Sequence, residues 1–175
     1  MSQDEARGAF ERTFEILANP AYNDSQKLYA CIAFLQYAPL EFFADYPREC
    51  KAVVSGAFQY GATWADVADA ASIKVDEAQS RWLDVETPRA ATALGYQAYQ
   101  AGDYEGARRA WLRVIAKRDP EFAPAVVLRL VTILCTEWQD VDGAKNVLRE
   151  VISWSDATTA SELGKTLKIL EHMHM

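Results

Sequence analysis

The stretch GATWADVADAASIKVDEAQSRW, Gly61 to Trp82, decides how this chain folds. Thr63 stands where it can cap a helix whose third residue is Asp66, so that hydroxyl and carboxylate each satisfy a backbone N–H at the helix start. Trp64, Val67, Ala68 and Ala71 then recur at three- and four-residue steps, which places them on one helical face. A tight turn is expected at Ser72-Ile73, and a second helix after it buries Val75, Ala78 and Trp82. Nothing here alternates with the period of two that a half-buried strand requires.

The same reading extends outward. An opening helix carries Phe10, Phe14 and Leu17 on one face and stops at Asn19-Pro20. A second, rich in Leu28, Tyr29, Ile32, Phe34 and Leu35, ends at Pro39. Phe42 to Tyr60 holds one or two helices around Pro47. Downstream, Thr87-Pro88 is a cap followed by proline at the first helical position. Near the end, Ala160, Leu163, Leu167 and Leu170 share one face, as a capping helix would. Glycines and prolines are few, and the whole chain is expected to be helical.

The stretch 61–82 resembles the helix-turn-helix of bacterial regulators, with Gly61, Thr63, Trp64, Val67, Ala70, Ile73, Ala78, Arg81 and Trp82 at matching places. The resemblance covers 22 residues and implies a recognition helix whose Lys74, Gln79, Ser80 and Arg81 would contact nucleic acid. The departures are informative. Ser72 replaces the turn glycine and must tolerate a left-handed backbone. The residues opening the second helix are Lys74, Val75, Asp76 and Glu77, and the two carboxylates would face DNA phosphates.

Ala93 to Pro124, ALGYQAYQAGDYEGARRAWLRVIAKRDPEFAP, resembles a tetratricopeptide repeat through Leu94-Gly95, Gly102, Tyr104, Ala107, Trp111 and Pro120. Val141, Ala144, Leu148 and Val151 repeat Tyr104, Ala107, Trp111 and Val114 at an offset of 37 residues, which a longer loop around Glu137 to Asp142 would absorb. The resemblance implies a peptide-binding face on the first helix of each pair. On it would lie Arg89, Thr92, Tyr96, Tyr99 and Gln100 from the first pair, and Arg129, Ile133 and Thr136 from the second. Tyrosine and arginine suit such a face, because they offer large contact area and hydrogen bonds. The lysine and asparagine with which the family clamps acidic peptide ends are replaced by Thr92 and Tyr96. The tyrosines could equally pack against helices of the N-terminal half. The expected organisation is all-α, a helical bundle with a helix-turn-helix followed by a short tetratricopeptide-like array. Its parts are a helical region 1–60, the helix-turn-helix-like segment 61–86, two helix pairs in 87–156, and a capping helix and tail in 157–175.

Composition narrows the function. Half of the 175 residues are hydrophobic and 11% aromatic, enough for a packed core and against disorder. No apolar run reaches the roughly 20 residues of a membrane span, and the acidic, amphipathic start is no signal peptide. Cys31, Cys50 and Cys135 fit no metal or redox spacing and read as reduced thiols in a cytoplasm. Both histidines, His172 and His174, lie in the last four residues, so the body of the chain holds no imidazole for a triad or a general base. His-Met-His-Met could hold a soft metal weakly, but reads as a frayed tail. With no phosphate loop or dinucleotide fingerprint, no enzyme, cofactor or metal site is expected.

The net charge of −7 counts against DNA, because phosphate binding draws on basic faces. A protein partner is the expectation, with DNA as the alternative, no membrane, and self-association into a dimer as a further role for the repeats. The strongest basic cluster is Arg108, Arg109, Arg113 and Lys117, which either touches nucleic acid or an acidic protein or is a solvated ridge.

Overall fold

The computed structural model describes residues 2–172, so the histidine-methionine tail at His174 lies outside the described residues. The chain is all-α: the described residues form eleven α-helices and one 3-10 turn, with no strand. Among the described residues no helix is long and apolar enough to cross a membrane. The helices group into two compact units, Met1–Ala90 and Ala91–Met175.

The first unit is built around its second helix. α1 (Gln3–Ala18) begins with a capping box in which Ser2 and Glu5 bond each other's backbone N–H, and it ends at Asn19. α2 (Asp24–Tyr37) opens with an equivalent box of Asn23 and Gln26. The short α3 (Leu40–Asp45) follows Pro39, and α4 (Pro47–Gln59) carries Pro47 at its first position, where the missing N–H costs nothing. α5 (Trp64–Ala70) and α6 (Val75–Trp82) complete the unit with a 3-10 turn at Leu83–Val85. α2 packs against α1, α4 and α5.

The core runs through these helices as a series of aromatic contacts. Phe10 and Phe42 sit on Phe34 at 6.0 and 5.6 Å, while Phe43 meets Trp82 at 5.9 Å and Phe58 meets Trp64 at 4.7 Å. The segment 61–82 therefore shares its core with the preceding helices. Its own interior residues Trp64, Val67, Ala68, Ala71, Ala78 and Trp82 are all buried, as the stripe predicts, whereas Val75 is only half-buried.

Two details of this segment were legible in advance. Thr63 and Asp66 form the expected capping box. Ser72 takes φ 54°, and the N–H groups of Ser72 and Ile73 return to the carbonyls of Asp69 and Ala68. That is the six-residue helix stop that glycine usually occupies, and here it holds a serine at a cost of about 1–2 kcal/mol. Lys74, by contrast, begins α6 without a side-chain cap.

Tyr29 lies off the face that α2 buries through Phe34 and Leu35; it is 74% exposed. α2 is apolar on nearly every side, so the core takes Cys31, Phe34 and Leu35 and leaves another apolar face outside.

Burial governs the thiols. Cys31 and Cys50 are fully buried, and desolvation of the thiolate pushes both up to about 12. Cys135 is half-buried and raised for the same reason. In the folded chain at about pH 8, a disulfide reagent such as DTNB should leave Cys31 and Cys50 unmodified while Cys135 reacts first, and all three should react after unfolding. Fast labelling of Cys31 or Cys50 in the native chain, read by mass spectrometry, would contradict this packing.

The second unit is a run of antiparallel helices. α7 (Pro88–Gln100) is capped by Thr87, whose hydroxyl accepts from Ala90. It leads into α8 (Tyr104–Ala116), α9 (Ala123–Thr136), α10 (Val141–Trp154) and α11 (Ala157–His172). α8 with α9, α9 with α10, and α10 with α11 are packed neighbours. The core comprises Trp111, Val114, Ile115, Val126, Leu130, Leu148, Val151 and Leu163, among others.

The connectors α7–α8 and α9–α10 repeat one device. A residue in the left-handed region, Gly102 (φ 78°) or Gln139 (φ 53°), is followed by an aspartate, Asp103 or Asp140. Each aspartate accepts the N–H of the glycine three residues on, Gly106 or Gly143, at 2.8 Å. In both, a Cβ on that glycine would strike the capping carboxylate. Ala107 and Ala144, next in line, are buried at the helix crossings. The second connector is longer than the first by a single residue, Glu137–Asp140 against Ala101–Asp103, so the loop at 137–142 absorbs only part of the extended offset. The rest lies in the helices and in the link 117–122.

Candidate functional site

The surface carried by the first helix of each pair was expected to bind. α7 brings Tyr96 and Tyr99 against Trp111, at 5.4 and 6.0 Å between ring centroids, and Tyr99 also meets Tyr104 at 5.7 Å. Each tyrosine is half-buried, with one part of the ring packed against the unit's own indole and the remainder open. Gly95 makes this possible, because an added Cβ there would fall within the Trp111 ring. Gln100 is exposed at the end of the helix, and Thr92 is half-buried with its hydroxyl lacking a hydrogen-bond partner among the described residues. Arg89 is exposed and belongs to the first unit, where its guanidinium lies beside Gly61.

On α9, Arg129 and Thr136 are exposed, and the Thr136 hydroxyl donates back to the Thr132 carbonyl. Ile133 is not part of any surface: it is 1% exposed and packs inside the core. The reason is the composition of α9, whose Val126, Val127, Leu130, Val131, Ile133 and Leu134 are all buried between the helices flanking it. A face read by transferring positions from the first pair thus lands one residue in the interior. Among the residues that α9 leaves outside are Leu128, Arg129, Thr132 and Thr136.

The residues considered for nucleic acid lie on α6. Lys74, Ser80 and Arg81 are exposed and Gln79 is half-buried. The Arg81 guanidinium is paired with Glu77 one turn earlier, and Asp76 beside it is also exposed. Two cations thus stand against two carboxylates, which leaves no net positive field for a phosphate backbone.

The basic cluster occupies the outer side of α8, opposite Ala107, Ala110, Trp111 and Val114. Arg108 pairs with Glu105 at 3.1 Å and lies over the Trp138 ring at 5.8 Å. Arg109 and Lys117 are exposed and Arg113 is half-buried. Arg108 is therefore engaged locally, as ordinary surface cations often are.

Two features had no clear sequence signal. Glu86 is 3% exposed and accepts the Trp64 indole N–H at 2.6 Å, although glutamate is among the residues least often buried. A buried tryptophan usually finds an acceptor, though the Trp111 indole N–H has none among the described residues. The other is an open trough of about 740 Å³ between α1 and α2, rimmed by tyrosines. Compared with family models, with curated proteins and with solved structures, the chain finds no match in any of the three.

Proposed function

We propose that this chain is a non-enzymatic protein–protein interaction module, an adaptor or regulatory component, built on two tetratricopeptide-like helix pairs. The observation that carries the reading is the device repeated in α7–α8 and α9–α10: left-handed residue, aspartate cap, glycine three residues on, buried alanine. Repetition of that kind is how stacked helix pairs build a continuous binding face. On it Tyr96 and Tyr99 pack against Trp111 yet stay partly open, and Arg129 is exposed on α9 in the second pair. Preorganised aromatic and arginine side chains are what binding hot spots use. The three free cysteines fit work in a reducing cytoplasm.

The test must spare the core. Tyr96 and Tyr99 brace Trp111, so the informative substitutions are Gln100→Glu and Arg129→Glu at exposed positions. Proteins captured by the wild-type chain from its host lysate and identified by mass spectrometry should be lost by the double variant, with its melting transition unmoved. Unchanged capture would sink the assignment of this face.

A DNA-binding regulator is the second reading. One observation favours it: Ser72 takes the left-handed conformation at the place where regulator-type helix-turn-helix segments carry their turn glycine. Against it stand Asp76, Glu77 and the Arg81–Glu77 pair on the helix that would read bases.

A further inference from the structure

The trough between α1 and α2 joins a hollow and a set of knobs on one surface. Its floor is made of small side chains, Ala9 and Thr13 from α1 and Ala30 and Ala33 from α2. Beside the floor, Tyr29 and Tyr37 project at 74% and 66% exposure. Tyr29, Ala33 and Tyr37 follow one another at four-residue steps, so the two rings stand roughly 12 Å apart along α2 with the alanine between them.

The character of the surface narrows its occupant. Among the described residues lining it, Arg12 alone is charged, whereas a quarter of the whole chain is charged. Depletion of charge together with enrichment in tyrosine marks the core of a protein interface. Nucleic acid or a strongly charged peptide would find a single cation there. An apolar partner must both fill the hollow and receive two protruding rings, and this surface itself has both shapes. That is the self-complementarity an isologous two-fold interface requires, each patch meeting its own copy.

Area points the same way. Tyr22, at 39% exposure, joins Tyr29 and Tyr37 on the lining. At about 200 Å² per ring, the three leave on the order of 350 Å² open to solvent, nearly half of the roughly 800 Å² per partner in a standard interface. The floor and the polar rim of Asn23, Ser25 and Gln26 are available for the remainder.

We propose that this trough is a homodimer interface, in which Tyr29 and Tyr37 of each copy seat in the α1–α2 hollow of the other. The claim is independent of the binding face on α7 and α9.

The full chain, 19.6 kDa as a monomer, should sediment at twice that mass at concentrations up to about 100 µM. Tyr29→Ser with Tyr37→Ser changes only exposed side chains and should weaken association at least about tenfold. Ala33→Arg, which puts a charge on the floor, should abolish it with the helical circular dichroism retained. Ile169→Ser, at a 63% exposed apolar position in the second unit, should leave the dimer unchanged. A chain that stays monomeric throughout that range overturns the proposal. So does a dimer indifferent to both trough variants, or a trough that is filled only when a different apolar helix is added.

Discussion

Trp64→Ala is expected to be among the most damaging single changes in the chain, costing about 4–8 kcal/mol of unfolding free energy. Two losses combine. The indole is fully buried against Phe58, so its removal opens a cavity worth about 3–5 kcal/mol. Its N–H also donates to Glu86, a carboxylate 3% exposed. Withdrawing a donor from a buried acceptor costs a further 1–3 kcal/mol, roughly, because water cannot replace it. Trp64→Phe keeps the six-membered ring and removes the N–H with the rest of the five-membered ring, so it shrinks the cavity loss while deleting the hydrogen bond, and should cost about 2 kcal/mol or more. A cycle with Glu86→Gln, followed by denaturant unfolding, measures the coupling between the pair. A Trp64→Phe loss within about 0.5 kcal/mol of zero would mean that this bond contributes nothing to stability.

Gly95→Ala should cost about 3 kcal/mol although it adds one methyl group to a helix, where alanine is normally the better residue. The new Cβ would overlap the Nε1 and Cδ1 atoms of Trp111 and lie 2.8 Å from Cε2. Neither side can yield cheaply, because the indole is fully buried and flanked by Tyr96 and Tyr99. Trp111→Leu in the same chain should relieve the overlap, making the double variant less unstable than the sum of the singles by about 1–3 kcal/mol. Thermal and denaturant unfolding of the four proteins decides the matter. A Gly95→Ala variant as stable as the wild type would show that α7 and α8 are not packed this closely.

These two sites also mark what the sequence could disclose. Local chemistry was readable wherever it closes within a few residues: the Thr63–Asp66 box, the Thr87 cap and the left-handed Ser72 all follow from neighbours in the chain. The pairing of Leu94-Gly95 with Trp111 was visible only as a resemblance, and its cause, an indole laid against a backbone without Cβ, is a contact between helices. Glu86 gave no signal, because its acceptor role depends on a partner 22 positions away. Ile133 departed from expectation, and its reason also explains why Tyr29 stands outside. α9 and α2 are apolar nearly all round, so period alone cannot say which face the core will take. Position-by-position transfer put Ile133 outside.

The reading of the chain as a protein-binding module and not a reader of DNA is tested most directly by titrating it with mixed genomic duplex fragments at low and moderate salt. The wild-type chain is expected to show no salt-sensitive binding, since Asp76, Glu77 and the Arg81–Glu77 pair cancel the cations of α6 and the net charge is −7. Binding that weakens as salt rises, and that disappears in the Lys74→Glu, Arg81→Glu variant, would contradict the account and place the function on α6.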